Sequence, residues 1–166
     1  MSQLVDKAKT QLYRAVQDAI GAAIAAGDLP QAELPEFALE VPADRAHGDW
    51  SCNAAMAGAR AFRMAPGKIA GAIIAHIDLS GTWFSKAETA GPGFLNFTYD
   101  GAFYGAVLKD IERLGADYGR STQGEGKRVL VEYVSANPTG PMHIGNARGG
   151  VLGDALSAHE IGRAHV

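Results

Sequence analysis

The chain has 166 residues, with 15 Lys and Arg against 18 Asp and Glu. Its net charge of −3 provides no molecule-wide basic field, so any contact with nucleic acid must be local. Hydrophobic residues at 47% and charged residues at 20% suit a packed core and exclude wholesale disorder, and a lone cysteine, Cys52, excludes an internal disulfide framework.

Residues 1–20 contain Asp6, Lys7, Lys9, Arg14 and Asp18, which a signal peptide's apolar core would not tolerate. No apolar run reaches the roughly 18 residues of a membrane span. These features lead us to expect a cytoplasmic protein without membrane contact, in a reducing compartment.

Apolar residues at Leu4, Val5, Ala8, Leu12, Val16, Ala19, Ile20, Ala23 and Ile24 predict an amphipathic helix over residues 2–26. Gly27 is placed to stop it, with Pro30 just beyond. Residues 28–35 read as loop. Residues 37–41 alternate as a strand that Pro42 ends, and residues 43–50 read as a polar loop. Ser51 is the expected cap of a helix from Cys52 to Met64, with Asn53 as the second choice. Pro66 suits the first turn of a helix reaching Ile77. Residues 83–89 and 94–99 read as strands joined by a turn at Ala90-Gly-Pro-Gly93. Asp100 caps a helix over 102–114, and Gly115 stops it. Residues 1–117 therefore predict an α+β domain with segregated helices and a small antiparallel sheet. The polar, glycine-rich stretch 118–127 reads as a linker. Residues 129–134, VLVEYV, then have the dense β-branched pattern of a strand buried on both faces of a parallel sheet.

Several motif fragments carry no chemistry. Gly124-Glu-Gly-Lys127 lacks the glycine and the hydroxyl residue that a phosphate loop needs at 121 and 128. Asn96-Phe-Thr98 is a chance glycosylation sequon on a strand. Cys52 and His47 have no partners at ligand spacing, so no metal site is expected. His76 reads as a solvated or packing residue, and Trp50, Trp83 and Phe84 read as core or rim.

Residues 135–146 read differently. Ser135-Ala-Asn-Pro-Thr-Gly-Pro141 is a rigid turn after a strand. His143 stands at the start of the next helix, where free N–H groups favour phosphate. Gly145 allows close approach of a ligand to the backbone, and Asn146 lies one turn from His143 on the same face. Arg148 adds positive charge. The position corresponds to the carboxyl end of a parallel strand, where open α/β sheets bind ligands. A plain capped strand–turn–helix fits the same residues.

SANPTGPMHIGN (135–146) followed by ARGGVLGDAL (147–156) resembles the signature of class I arginyl-tRNA synthetases. His47-Gly-Asp-Trp-Ser-Cys-Asn53 and Ala90-Gly-Pro-Gly-Phe-Leu-Asn-Phe97 resemble elements of that family's N-terminal tRNA-binding domain, in the right order. The resemblance implies an α+β tRNA-binding domain followed, over residues 128–159, by the first strand–turn–helix of a Rossmann-like α/β catalytic domain. The implied activity is ATP-dependent activation of arginine and its transfer to tRNA(Arg). ATP with Mg2+ would be a substrate, no cofactor would be tightly bound, and the protein would be a monomer.

The family's His-Ile-Gly-His element falls on His143, Ile144, Gly145 and Asn146. The resemblance thus gives His143, Gly145 and Asn146 catalytic roles and Pro141, His143, Gly145 and Asn146 ATP-binding roles. Asn146 replaces a histidine; an amide donates a hydrogen bond but cannot carry positive charge. The implied arginine-binding positions are Glu132, Ser135, Asn137 and His143, where a carboxylate suits a cationic substrate. The positions implied to read the tRNA D-loop are Phe94, by stacking, and Asn96, through its amide, with Phe97 facing the core. The opposite register, Phe94 in the core and Phe97 at the rim, stays open at this level.

The resemblance stops after Ala158. Residues 160–166, EIGRAHV, match one reading frame of a common sequencing adapter, so we expect a non-native tail. The family's Lys-Met-Ser-Lys loop and anticodon-binding domain are not in this sequence. We therefore expect residues 129–166 to pack poorly alone and the chain to lack aminoacylation activity. Two alternatives are a stand-alone tRNA D-loop-binding module and, against the N-terminal motifs, another nucleotidyl-transfer enzyme of the His-x-Gly-His type.

Overall fold

A computed structural model describes residues 3–33, 35–119, 128–137 and 139–160. Most of the expected linker (120–127) and nearly all of the expected tail (161–166) lie outside the described residues. The chain divides into two compact units, Met1–Tyr118 and Gly119–Val166.

The first unit begins with α1, Gln3–Ala26. Its stripe of Ala8, Leu12, Val16, Ala19, Ile20 and Ala23 is buried, as the 3.6-residue period predicts. Gly27 takes φ +84°, and the amides of Asp28 and Leu29 both donate to the Ala23 carbonyl at 2.9 and 3.1 Å, closing the helix. Four antiparallel strands follow: β1 (Leu39–Glu40), β2 (Trp50–Cys52), β3 (Phe84–Ala90) and β4 (Phe94–Tyr99). Their order in the sheet is β1-β2-β4-β3, so β4 is central. Helices α2 (Ala54–Phe62) and α3 (Pro66–His76) pack on β4 and β3, and α1 packs on α3. Helix α4 (Gly101–Leu114) follows β4, capped by the Asp100 carboxylate, which accepts from Ala102 N–H at 2.7 Å.

The core lies between the helices and one face of the sheet. Leu39, Trp50, Cys52, Leu95 and Phe97 on the strands meet Phe62, Ile69 and Ile73 on the helices. Burying a side chain such as Phe97 contributes about 1.5–3 kcal/mol. A register shift between Phe84 and Lys86 keeps the rest of β3 paired with β4, and Phe84 stacks on Tyr99 at 4.8 Å and meets Phe97 edge-on.

Two readings of this unit need correction. Residues 50–52 are not a loop and helix start but strand β2, because Trp50, Ser51 and Cys52 pair with Phe97, Asn96 and Leu95 of the central strand. Ser51 therefore caps nothing, and α2 begins after Asn53. The Asn53 side chain accepts from Ala38 N–H at 2.8 Å rather than from the helix, tying β1 to the start of α2. The expected strand 37–41 is also reduced to Leu39–Glu40.

The second unit contains α5, Ile144–Glu160. The strand expected over 129–134 does not form. Residues 128–137 make no ladder, Leu130 is 93% exposed, and Val134 takes φ +58°, outside the strand region. The physical reason is that a strand exists only through hydrogen bonds to a neighbour, and among the described residues no strand pairs with this one. Instead the Tyr133 ring lies directly over Gly153 of α5, where a Cβ would stand 2.1 Å from Tyr133 Cγ.

Candidate functional site

The pleat gives the sheet two unlike faces. Cross-strand partners share a face, so Ser51, Asn96 and Glu88 form one row on the side away from the helices, with Phe94 and Ala90 on one flank and Thr98 and Lys86 on the other. Phe94 is 37% exposed, whereas Leu95 and Phe97, pointing the other way, are fully buried. The register with Phe94 outward is thus the one adopted. Asn96 shares that outward face but is only 4% exposed, because it sits mid-strand on the central strand with Ser51 and Glu88 directly across. Its amide is the one buried polar side chain among the described residues. Lys86 and Glu88 form an ion pair at 2.7 Å on the same face.

The Phe94 end of this face is built by glycine geometry. Gly91 and Gly93 both take positive φ, +51° and +144°, and Gly93 N–H donates to the Ala90 carbonyl at 3.3 Å. A Cβ on Gly93 would lie 2.6 Å from Pro66 Cβ, so the hairpin tip rests on the first turn of α3.

The other end is clamped by Gly48-Asp49-Trp50. Gly48, at φ +83°, lies where a Cβ would meet the Phe97 carbonyl oxygen at 2.7 Å. Asp49 N–H donates to that carbonyl at 2.8 Å. The Asp49 carboxylate accepts from Tyr99 N–H at 2.8 Å and from the Tyr104 hydroxyl at 3.2 Å. Trp50 Nε1–H donates to the Tyr99 hydroxyl at 2.7 Å. Burial raises the pKa of both phenols, and for Tyr104 the Asp49 charge adds to the rise. Sequence reasoning gives Gly48 and Asp49 no individual roles. The one signal it offers is a glycine followed by an acid and an aromatic just ahead of a short apolar strand.

In the second unit, His143 and Asn146 meet at the start of α5 and cap it reciprocally. Gly145 N–H donates to His143 Nδ1 at 3.1 Å, and His143 N–H donates to Asn146 Oδ1 at 3.1 Å. Among the described residues, His143 Nε2 and the Asn146 amide nitrogen take part in neither bond. Ser135 donates to the Glu132 carboxylate, so these two expected arginine-pocket residues are together. Asn137 and Pro141 are exposed and are brought to neither pair by any hydrogen bond among the described residues.

Comparison with known proteins identifies the first unit. Residues 10–99, more than half of the chain, match the family described as the arginyl tRNA synthetase N terminal domain. The chain belongs to the arginyl-tRNA synthetase family.

It is 44% identical over 158 residues to the arginine–tRNA ligase of Acetivibrio thermocellus and 46% identical over 158 residues to that of Desulforamulus reducens. Each alignment covers 95% of this chain but 28% of the relative, so the chain spans under a third of the length of these synthetases. Its fold also resembles the crystal structure of arginyl-tRNA synthetase from Plasmodium falciparum, with a TM-score of 0.54 at 19% identity over 89% of this chain and 27% of that one. The open sheet face with Phe94 and Asn96 lies within the synthetase N-terminal match, and the His143–Asn146 cap lies beyond it. No helix among the described residues is long and apolar enough to cross a membrane.

Proposed function

We propose that this chain contributes the tRNA-binding end of an arginyl-tRNA synthetase, and that the outward sheet face holds a base of the tRNA(Arg) D-loop. The observation that carries this reading is the pairing of an exposed Phe94 with Asn96 on one face of a synthetase N-terminal domain. A splayed base stacks on the Phe94 ring, and the Asn96 amide, set between Ser51 and Glu88 in its row, reads the base edge. Because Asn96 is nearly covered, it meets only a base inserted beside Phe94, which favours single-stranded loop over helix.

In the complete enzyme the carboxylate of arginine attacks the α-phosphate of ATP, pyrophosphate leaves, and the resulting arginyl-adenylate transfers its acyl group to tRNA. His143 Nε2–H serves as a hydrogen-bond donor to phosphate, since Nδ1 is already an acceptor for Gly145 N–H. Gly145 and Pro141 leave room for the nucleotide, and Asn146 holds the His143 backbone while its amide hydrogens face the ligand. Glu132 and Ser135, with Asn137, are the residues assigned to the arginine's cationic groups. Mg2+ accompanies ATP as part of the substrate. This chain by itself is a cytoplasmic monomer that binds tRNA but does not activate arginine.

The test is fluorescence anisotropy with a tRNA(Arg) transcript and the full chain, with arginine-dependent ATP–pyrophosphate exchange measured in parallel. Phe94→Ala is expected to raise Kd about 5- to 150-fold, equivalent to about 1–3 kcal/mol of stacking. Unchanged affinity in Phe94→Ala would remove the face from the interface. Exchange activity in the isolated chain would refute its assignment as a binding portion only. The competing description, a self-sufficient tRNA-binding module, is favoured by the first unit having its own closed core. It predicts that a chain ending at Tyr118 binds tRNA as tightly as the full chain.

A further inference from the structure

Asn96 is 4% exposed, yet its side-chain amide makes no hydrogen bond among the described residues. Its Oδ1 and Nδ2 are not sealed off: the one fully covered and unpartnered side-chain atom among the described residues is Gln11 Oε1, on α1. A covered amide with unused donors and an unused acceptor is costly unless a ligand completes it.

The register fixes what stands beside that amide. Glu88 is the Cα partner of Asn96 on β3 and Ser51 its partner on β2, so the three share the outward face. Directly opposed residues of an antiparallel pair have Cβ atoms about 4.5–5.5 Å apart, and diagonal neighbours lie about 7–8 Å apart. Phe94 is one row along β4 on the same face, diagonal to Glu88, and its own partner on β3 is Ala90. Ala90 carries a single methyl, so a flat ring lying on Phe94 meets no bulky side chain across the ladder. The next polar groups along the two strands are Asn96 and Glu88. Glu88 has 45% of its side chain accessible, and its ion pair with Lys86 runs through Oε2 at 2.7 Å. A carboxylate offers about four lone-pair positions and no hydrogen, so one ion pair leaves it able to accept again.

We propose that Glu88 selects the base that Asn96 reads, favouring one whose edge carries an exocyclic amine over one that carries an oxygen there. The inference rests on the RNA-binding reading of the outward face and adds the residue that decides which base is held. An exocyclic amine has two hydrogens, enough for Asn96 Oδ1 and the Glu88 carboxylate together, while the ring nitrogen beside it accepts from Asn96 Nδ2. A carbonyl in the same place sets its lone pairs against the carboxylate. Asn96 alone does not make the distinction, because an amide both donates and accepts and can turn to suit either edge. Glu88, which only accepts, supplies the difference.

The experiment measures Kd by anisotropy for the full chain with tRNA(Arg) molecules assembled by ligation. Each unpaired adenosine or cytidine of the D-loop is replaced in turn by inosine or uridine, an amine-for-oxygen exchange. At one position wild type is expected to lose about 5- to 150-fold in affinity, the range of a two-bond contact to a base edge. Glu88→Gln, whose amide can donate to the oxygen, is expected to shrink that loss by about 5- to 10-fold, the difference between a charged and a neutral hydrogen-bond acceptor. Lys86→Gln opens the ion pair but keeps the carboxylate, and is expected to retain the wild-type preference. Phe94→Ala is expected to weaken binding to every tRNA tested, and circular dichroism confirms folding of each variant. The proposal is overturned if no amine-for-oxygen exchange lowers wild-type affinity, if Glu88→Gln keeps the wild-type preference, or if Lys86→Gln reduces that preference equally. Any of these results with the Phe94→Ala effect intact overturns this proposal alone. Absence of wild-type binding, or of any Phe94→Ala effect, overturns the RNA-binding reading and this proposal with it.

Discussion

Replacing Gly93 by alanine tests how the candidate RNA face is held. The residue sits at φ +144°, a region essentially reserved for glycine, and a side chain there costs about 1–3 kcal/mol in the backbone alone. The added Cβ would also lie 2.6 Å from Pro66 Cβ and 3.0 Å from the Pro66 carbonyl carbon. Carbon atoms settle at about 3.5–4.0 Å, so the hairpin tip or the start of α3 must retreat by about an ångström. A proline ring and a backbone atom cannot swing aside as a flexible side chain would, and overpacking of this kind costs about 1–3 kcal/mol more. The expected total is about 2–6 kcal/mol, a large part of a typical domain's stability. Gly91→Ala is the internal reference. It also has positive φ, +51°, but nothing lies within 4 Å of its Cβ position, so only the left-handed cost of about 1–2 kcal/mol applies. Urea unfolding followed by fluorescence of the buried Trp50 measures both. If Gly93→Ala proves no more destabilising than Gly91→Ala, the packing of the tip on Pro66 contributes nothing and the reasoning is wrong.

Burial raises the Cys52 thiol from its usual 9.0 to about 11, so the folded state keeps a proton there that the unfolded chain releases. Stability from this residue is complete below pH 9 and is lost as pH rises toward 11. Wild type should accordingly lose more stability than Cys52→Ala between pH 8 and pH 10.5 in urea titrations, and parallel losses would contradict the assignment. Asp49→Ala removes the acceptor for Tyr99 N–H and the Tyr104 hydroxyl and should cost about 1–3 kcal/mol, with Asp49→Asn recovering part of it; thermal melts decide this. Limited chymotrypsin digestion should cut first after Leu130 and Tyr133, which are exposed and unladdered, while Trp50, Phe97 and Phe103 stay protected; early cleavage at Phe97 would be the contrary result.

Elements whose signal is local are legible in the amino-acid sequence alone. The buried stripe of α1, the Asp100 cap, the Gly115 stop and the hairpin around Gly91 and Gly93 follow from periodicity and backbone chemistry that each segment carries within itself. Alternation along 94–97 sets Phe94 and Asn96 on one face and Phe97 on the other, and the motifs around Gly48 and Gly93 point to the family that the comparison establishes. What local chemistry cannot carry is anything needing a partner. Trp50–Cys52 is a strand only because β4 lies beside it, and Val129–Val134, far richer in strand formers, is none because no described strand does. The depth of Asn96 and the rest of Gly93 on Pro66 likewise arise between segments. Sequence determines what each segment prefers; burial, pairing and proximity are properties of the neighbours that tertiary structure supplies.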